Sequence, residues 1–342
     1  MRFSLSRLAA SSLLCAGLVS AQTNCSVVNG PFEEDLNGSN FTYPHPVKLF
    51  RFHNQLQDLE MAFMDTAPSC GSPNGKTAVV LHGKNFCGPT WGATIDVLTS
   101  IGYRVIAPDQ VGFCKSSKPT GYQFSTNQLA KNTQTLLKTL GINKITLIGH
   151  SLGGMLSIRF GLQYPDLVEK LILVDPVGLE DYVEKGVPYI ALDDSYKSES
   201  AQTYKSIRGY EQEVYYVGQW KSSYDTWVNM LVNIYHGPKR EQFVTNQAQI
   251  VDMVLTSPVA HYFGDLRPKT LLIVGDKDKT AIGSQWSPPD VAAKLGHFDV
   301  LGPLVASQLP NGQLHQFKDL GHAPQLSDPS AFHSVMIDFL SS

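Results

Sequence analysis

Ser151 lies in Gly149-His150-Ser151-Leu152-Gly153-Gly154, after the apolar run Ile145-Thr146-Leu147-Ile148 and before Met155 to Leu162, which reads as a helix. A serine on a strand-to-helix bend has its hydroxyl lifted clear of the sheet edge, where a substrate can reach it. Such a hydroxyl becomes a nucleophile only when a base takes its proton and a third group orients that base. The chemistry to look for is attack on a carbonyl, served by a histidine and a carboxylate at the ends of other strands.

Of ten histidines, His322 is the one that follows the last apolar strand in a Gly/Pro-flanked loop, Gly321-His322-Ala323-Pro324, able to aim back at the serine. Three aspartates compete for the third place. Asp175, Asp276 and Asp278 all stand at strand ends, between serine and histidine in chain order. Asp278 lies past its strand, in a loop that can carry a carboxylate across to His322, and is favoured. Asp276, between a glycine and a lysine, suits a solvated or turn-capping role, and Asp175 a structural strand end. The oxyanion formed on attack needs fixed N–H donors. The Leu152 amide is one expected donor, and the second is that of Lys84, after His82-Gly83, with Asn85 next in line. The Lys84 and Asn85 side chains are also candidates for substrate contact.

Those residues need a scaffold of strands and helices. Val47 to Phe52 and Leu56 to Met64 read as two strands joined by a polar turn, followed by a Pro/Gly/Ser loop. Thr77 to Leu81, Tyr103 to Ala107, Ile145 to Ile148, Leu171 to Val174, Leu271 to Val274 and Leu314 to Phe317 are short apolar strands. Helices are expected between them, one over Leu129 to Leu140 and a last one from Pro329 to Leu340 capped by Ser327 or Asp328. That alternation predicts an α/β fold: a mostly parallel sheet of eight strands with helices on both faces. It is interrupted once, between 179 and 266, by a segment holding ten of the chain's 14 tyrosines. Most of these rings suit the insert's own core, and some suit the lining of an amphipathic pocket below it. The core is then 47–178 with 267–342, and the insert is a helical cap.

The first 21 residues read as a signal peptide: Arg2 and Arg7, an apolar run from Leu8 to Val19, then Val19-Ser20-Ala21 before a cut at Gln22. Residues 22–46 form an arm with three glycosylation sequons, at Asn24, Asn37 and Asn40. A secreted, extracellular glycoprotein is expected. Cys25, Cys70, Cys87 and Cys114 remain after cleavage, an even set that allows three pairings into two disulfides, with Cys25–Cys70 tying the arm to the following loop. A net charge of −3, with the signs interspersed, offers nothing to nucleic acid or an anionic surface, and no later stretch could span a bilayer.

Taken together, Leu81-His82-Gly83, Pro108-Asp109-Gln110-Val111-Gly112-Phe113-Cys114, the elbow around Ser151, Gly275-Asp276-Lys277-Asp278 and Gly321-His322 resemble the α/β-hydrolase superfamily, in its capped group. The resemblance implies the fold, the cap and a Ser151–Asp278–His322 triad. Epoxide hydrolases and dehalogenases of that group use an aspartate nucleophile, so Ser151 argues against both. Carbon–carbon bond hydrolases often carry a tryptophan after the histidine, where this chain has Ala323 and Pro324. The family's Gly-Phe-Gly is Gly-Phe-Cys here, and Cys114 and Cys87 would project from the same sheet edge, which favours Cys87–Cys114 as the second disulfide. The expected activity is a cofactor-independent serine hydrolase acting on a small-molecule, largely neutral ester, lactone or thioester. Carbon–carbon hydrolysis, a lyase or peroxidase-like reaction, or a non-catalytic binding role on the same scaffold are the alternatives.

Overall fold

Parallel strands covered on both faces need apolar side chains at nearly every position, and the central strands supply them. The computed structural model describes residues 25–69 and 73–342 and joins nine strands among them into one sheet. They are β1 (Ser26–Asn29), β2 (Val47–Asn54), β3 (Gln57–Thr66), β4 (Thr77–Leu81), β5 (Arg104–Pro108), β6 (Ile145–His150), β7 (Val168–Val174), β8 (Lys269–Gly275) and β9 (Gly312–Phe317). Their order is β1-β2-β3-β5-β4-β6-β7-β8-β9. The first three pair antiparallel, β3 pairs antiparallel with β5, and the remaining pairs are parallel. The eight expected strands are all present. The ninth, β1, comes from the arm and pairs with Lys48 to Arg51 at the sheet edge.

The period of two sends alternate side chains to opposite faces. Val79, Leu81, Leu171, Leu173, Leu272 and Val274 join one buried cluster, while Ala78, Val80, Ile172, Val174, Leu271 and Ile273 join the other. Helices α1 (Gly92–Ser100), α2 (Thr126–Thr139) and α3 (Leu152–Gln163) alternate with the strands, and the cap follows β7. The cap holds α4 (Leu192–Ser200), α5 (Tyr204–Tyr210), a π-helical turn at Glu211–Tyr215, α6 (Asp225–Tyr235) and α7 (Arg240–Thr256). After β8 come the short α8 (Pro289–Ala292) and α9 (Phe298–Ala306), and after β9 α10 (Pro324–Ser327) and α11 (Pro329–Ser341). Asp328 caps α11 by accepting from the Ala331 amide at 3.1 Å, which decides between the two expected caps. Met155, Leu156 and Ile158 of α3 and Phe298, Leu301 and Val305 of α9 pack on the first face; Ile95 and Leu98 of α1 and Phe332, Met336 and Phe339 of α11 pack on the second.

The loop after β5 anchors the arm. Asp109 accepts from the Tyr43 hydroxyl at 2.5 Å and from the Gly88 and Lys115 amides at 2.9 and 3.1 Å. Lys115 and Lys118 donate to the arm's Ser39 and Asn37 carbonyls, each at 2.9 Å. Asn37 in turn donates its side-chain amide to the Lys115 carbonyl at 2.9 Å, while Asn40 is exposed. Of these two sequons, Asn40 has the accessible amide. The expected signal peptide, Asn24 and Cys70 lie outside the described residues, and Cys25 is half-buried.

Cys87 and Cys114 form the expected disulfide, with Cα atoms 5.8 Å apart. Cys114 has φ +44°, the left-handed region that glycine enters freely, so the bridge holds a non-glycine residue in a glycine conformation. The bridge closes a segment 27 residues long. Its removal in a C87S/C114S double variant is expected to cost about 3 kcal/mol of stability. Urea unfolding of the variant beside the wild type measures this, and coincident transitions would contradict it.

Candidate active site

Ser151 stands between β6 and α3 at φ +55° and ψ −120°, a strained conformation for a residue with a side chain. Backbone bonds hold it there: its amide donates to the Val174 carbonyl at 3.0 Å, and its carbonyl accepts from Met155 at 3.1 Å and Val177 at 3.2 Å. The flanking glycines are required by space. A Cβ on Gly149 would lie 2.2 Å from the Gly153 carbonyl oxygen, and one on Gly153 2.2 Å from that of Leu81. The elbow therefore closes only with hydrogen at both positions.

Asp278 and His322 meet at the same edge of the sheet. Asp278 Oδ2 lies 2.6 Å from His322 Nδ1, and its Oδ1 accepts from the Thr280 amide at 2.8 Å. Both side chains are shut off from solvent. The other two aspartates are placed differently. Asp276 accepts from Gln316 Nε2 at 2.7 Å and Lys318 Nζ at 2.8 Å, a surface turn contact. Asp175 accepts from the Gly275 amide at 2.8 Å and lies against Asp278. The His322 ring is held between His150 and Tyr215, with ring centroids 4.9 and 4.8 Å away. His150 Nε2 lies 2.6 Å from the His322 carbonyl, and burial holds the His150 imidazole well below its usual pKa, so the neutral ring donates there. His322 Nε2 has no partner among the described residues, and the Ser151 hydroxyl does not reach it. In unliganded enzymes that bond is often open and tightens in the substrate complex.

The loop after β4 is fixed by His82. Its Nδ1–H donates to the Gly83 carbonyl at 2.9 Å while its Nε2 accepts from the Gln110 amide at 3.1 Å. Among the described residues the amides of Lys84, Asn85 and Leu152 have no backbone acceptor. The Leu152 amide is one of the open N–H groups at the start of α3. The side chains of Lys84 and Asn85 go to the cap. Lys84 Nζ pairs with Glu199 at 2.7 Å, Tyr235 donates to the same carboxylate at 2.5 Å, and Asn85 donates to the Tyr215 hydroxyl at 3.1 Å. A cavity of about 280 Å³ opens beside this loop, lined by Lys84, Asn85, Glu199, Tyr210, Tyr235 and Trp286 among others. Trp286 and Ile282 come from the long loop after Asp278. A larger groove of about 520 Å³ runs under the arm, and neither it nor the 280 Å³ cavity is lined by Ser151, Asp278 or His322. Where the cap joins the core, Asp181, Glu184 and His261 come within 4.8 Å of one another. Asp181 already bonds His261 at 2.8 Å and the Val183 and Glu184 amides at 3.0 and 3.1 Å, so the group is explained as a staple between the two ends of the cap.

His82, His150, Glu199 and Glu211 are the site residues that sequence reasoning passed over. His82 had a signal, its place in Leu81-His82-Gly83; the others sit in stretches where only the fold reveals what they face. Glu211, on the π-helical turn ahead of Tyr215, is fully buried, and neither carboxyl oxygen has a partner among the described residues. Burial pushes its carboxyl up from 4.5 to about 8. The folded chain thus keeps a proton that the unfolded chain releases, so stability present in full below the unfolded value is lost as pH rises through the folded one. E211Q is expected to match the wild type at about pH 4 and to exceed it by a few kcal/mol at about pH 9. Denaturant midpoints at both pH values test this, and an equal difference at the two would contradict it.

A family model described as the alpha/beta hydrolase fold matches residues 79–329. A 2-hydroxy-6-oxo-6-phenylhexa-2,4-dienoate hydrolase of Burkholderia cepacia is 27% identical over 274 residues, covering 78% of this chain and 88% of that one. The crystal structure of a probable hydrolytic enzyme from Pseudomonas aeruginosa superposes with a TM-score of 0.86 at 47% identity, over 87% of this chain and 95% of that one. An esterase from Exiguobacterium antarcticum shares the fold at a TM-score of 0.65 and 19% identity, over 83% of this chain and 96% of that one.

Proposed function

Starting from the fact that the chain belongs to the alpha/beta hydrolase family, we propose that it is a serine hydrolase cleaving a small to medium, neutral ester, lactone or thioester. The observation that carries this reading is the buried 2.6 Å bond between Asp278 and His322, which leaves His322 Nε2 without a partner at the sheet edge that bears the strained Ser151. Asp278 fixes the imidazole with its proton on Nδ1, so the lone pair on Nε2 is free to take the Ser151 proton. Ser151 Oγ attacks the carbonyl carbon, and the Leu152 and Lys84 amides receive the charge that develops on oxygen. His322 returns the proton to the leaving group, and water, deprotonated by the same ring, releases the acyl group from Ser151. The cavity of about 280 Å³ beside that loop, lined by Lys84 and Asn85, supports a substrate of small to medium size. Export to an oxidising compartment is part of the proposal and is supported by the Cys87–Cys114 disulfide.

One observation favours a second reading. The dienoate hydrolase of Burkholderia cepacia aligns over 78% of this chain, which supports carbon–carbon bond hydrolysis by the same triad. A panel of short esters, lactones and thioesters, run beside a dienoate carrying a 6-oxo group, separates the two. Turnover of the neutral acyl compounds with higher kcat/KM is expected, and cleavage of the dienoate alone would replace the first reading with the second. S151A is expected to lose activity toward the preferred substrate by about a thousandfold or more while keeping its fold. Turnover surviving in folded S151A would contradict the mechanism.

A further inference from the structure

Asp175 looks from the sequence like a strand-end residue, yet it adopts φ +39°, left-handed backbone that an aspartate enters only at a cost. Its amide donates to the Ile273 carbonyl and its Oδ1 accepts from the Gly275 amide, both at 2.8 Å, so its backbone and side chain bridge the ends of β7 and β8. Oδ2 is buried and has no partner among the described residues, and Asp278 lies at the same turn, its amide donating at 3.0 Å to the carbonyl of the Gly275 whose amide Asp175 accepts. We propose that Asp175 is a positioning residue for the triad, a neutral carboxylic acid whose O–H donates to the Asp278 carboxylate and fixes the oxygen that faces His322. The inference rests on the triad reading and assigns its fourth member.

The proton has to sit on one of the two. Carboxyls in contact, both fully buried, cannot both ionise. Asp278 accepts from His322 Nδ1 and from the Thr280 amide, which favour its charged form, whereas Asp175 accepts one amide only. Burial and the Asp278 charge push the Asp175 carboxyl well above its usual range. The titratable groups that face it are Asp278 and Asp276, both from the segment after β8, and neither supplies a positive charge. With the acid's O–H in place, Asp278 is held by three donors and has no freedom to rotate away from the imidazole.

The test measures the rate at which an alkyl fluorophosphonate modifies Ser151, as a function of pH, in wild type, D175N and D175A. Labelling of the wild type at Ser151 is the control for the triad reading itself; without it that reading fails, and this inference with it. Given labelling, asparagine can replace both bonds of a neutral acid, so D175N is expected to keep the rate within about twofold and the midpoint of the acid limb unchanged. D175A is expected to be slower by about tenfold, as for one lost hydrogen bond to a charged group. A D175N rate as low as that of D278N, or an acid limb moved to lower pH, would show that Asp175 carries charge and would overturn the proposal. So would an alanine variant as fast as the wild type. Should D175A not fold, infrared difference spectra decide. A carboxylic-acid C=O band at neutral pH that D175N lacks sustains the neutral acid, and its absence from the wild-type spectrum overturns it.

Discussion

A carboxylate sealed from water at the end of β8 has to be satisfied entirely from inside the protein, and that constraint organises this edge of the sheet. Asp278 is 1% exposed, and an unpaired buried charge costs several kcal/mol. Its oxygens draw on the Thr280 amide and on His322 Nδ1. The same bonds that make the charge tolerable make it useful, because they fix which imidazole nitrogen keeps its proton and which is left open. The segments after β7, β8 and β9 meet at this one group, in Asp175, Thr280 and His322.

The cap completes the seal. Tyr215 covers the His322 ring, and the amide of His322 donates to the Val214 carbonyl at 3.4 Å. Lys84 and Asn85, candidates for substrate contact, line the 280 Å³ cavity and bond Glu199 and Tyr215 of the cap. Their backbone amides have no backbone acceptor among the described residues, while the side chains bond the cap. The loop proposed to hold the oxyanion is thereby tied both to His82 and to the cap.

Much of this was legible in the residues. The elbow could be read because its glycines and apolar strand are local, and β4 to β8 could be read because parallel strands buried on both faces have nearly unbroken apolar runs. Asp278 was preferred over Asp276 from its place one step farther into the loop, and the structure puts Asp278, not Asp276, against His322. What escaped were relations that depend on packing at long range. β1 lies in an arm rich in Asn, Gly and Pro, with no periodicity of its own, and becomes a strand because the edge of β2 is free to pair. Asp175 looks in sequence like any residue at the end of a strand, and only the return of the chain just over a hundred residues later places Asp278 beside it. Glu211 carries no local signal of its burial, which the π-helical turn and the packing of the cap bring about.

The central claim is that Ser151 is a nucleophile activated through His322. Peptide mapping of the folded protein after reaction with a fluorophosphonate tests it most directly. The account predicts a single phosphonyl adduct on the peptide carrying Ser151, lost in folded H322A and in heat-unfolded wild type. A folded wild type that stays unmodified, or an adduct mapped to a different serine, would contradict it.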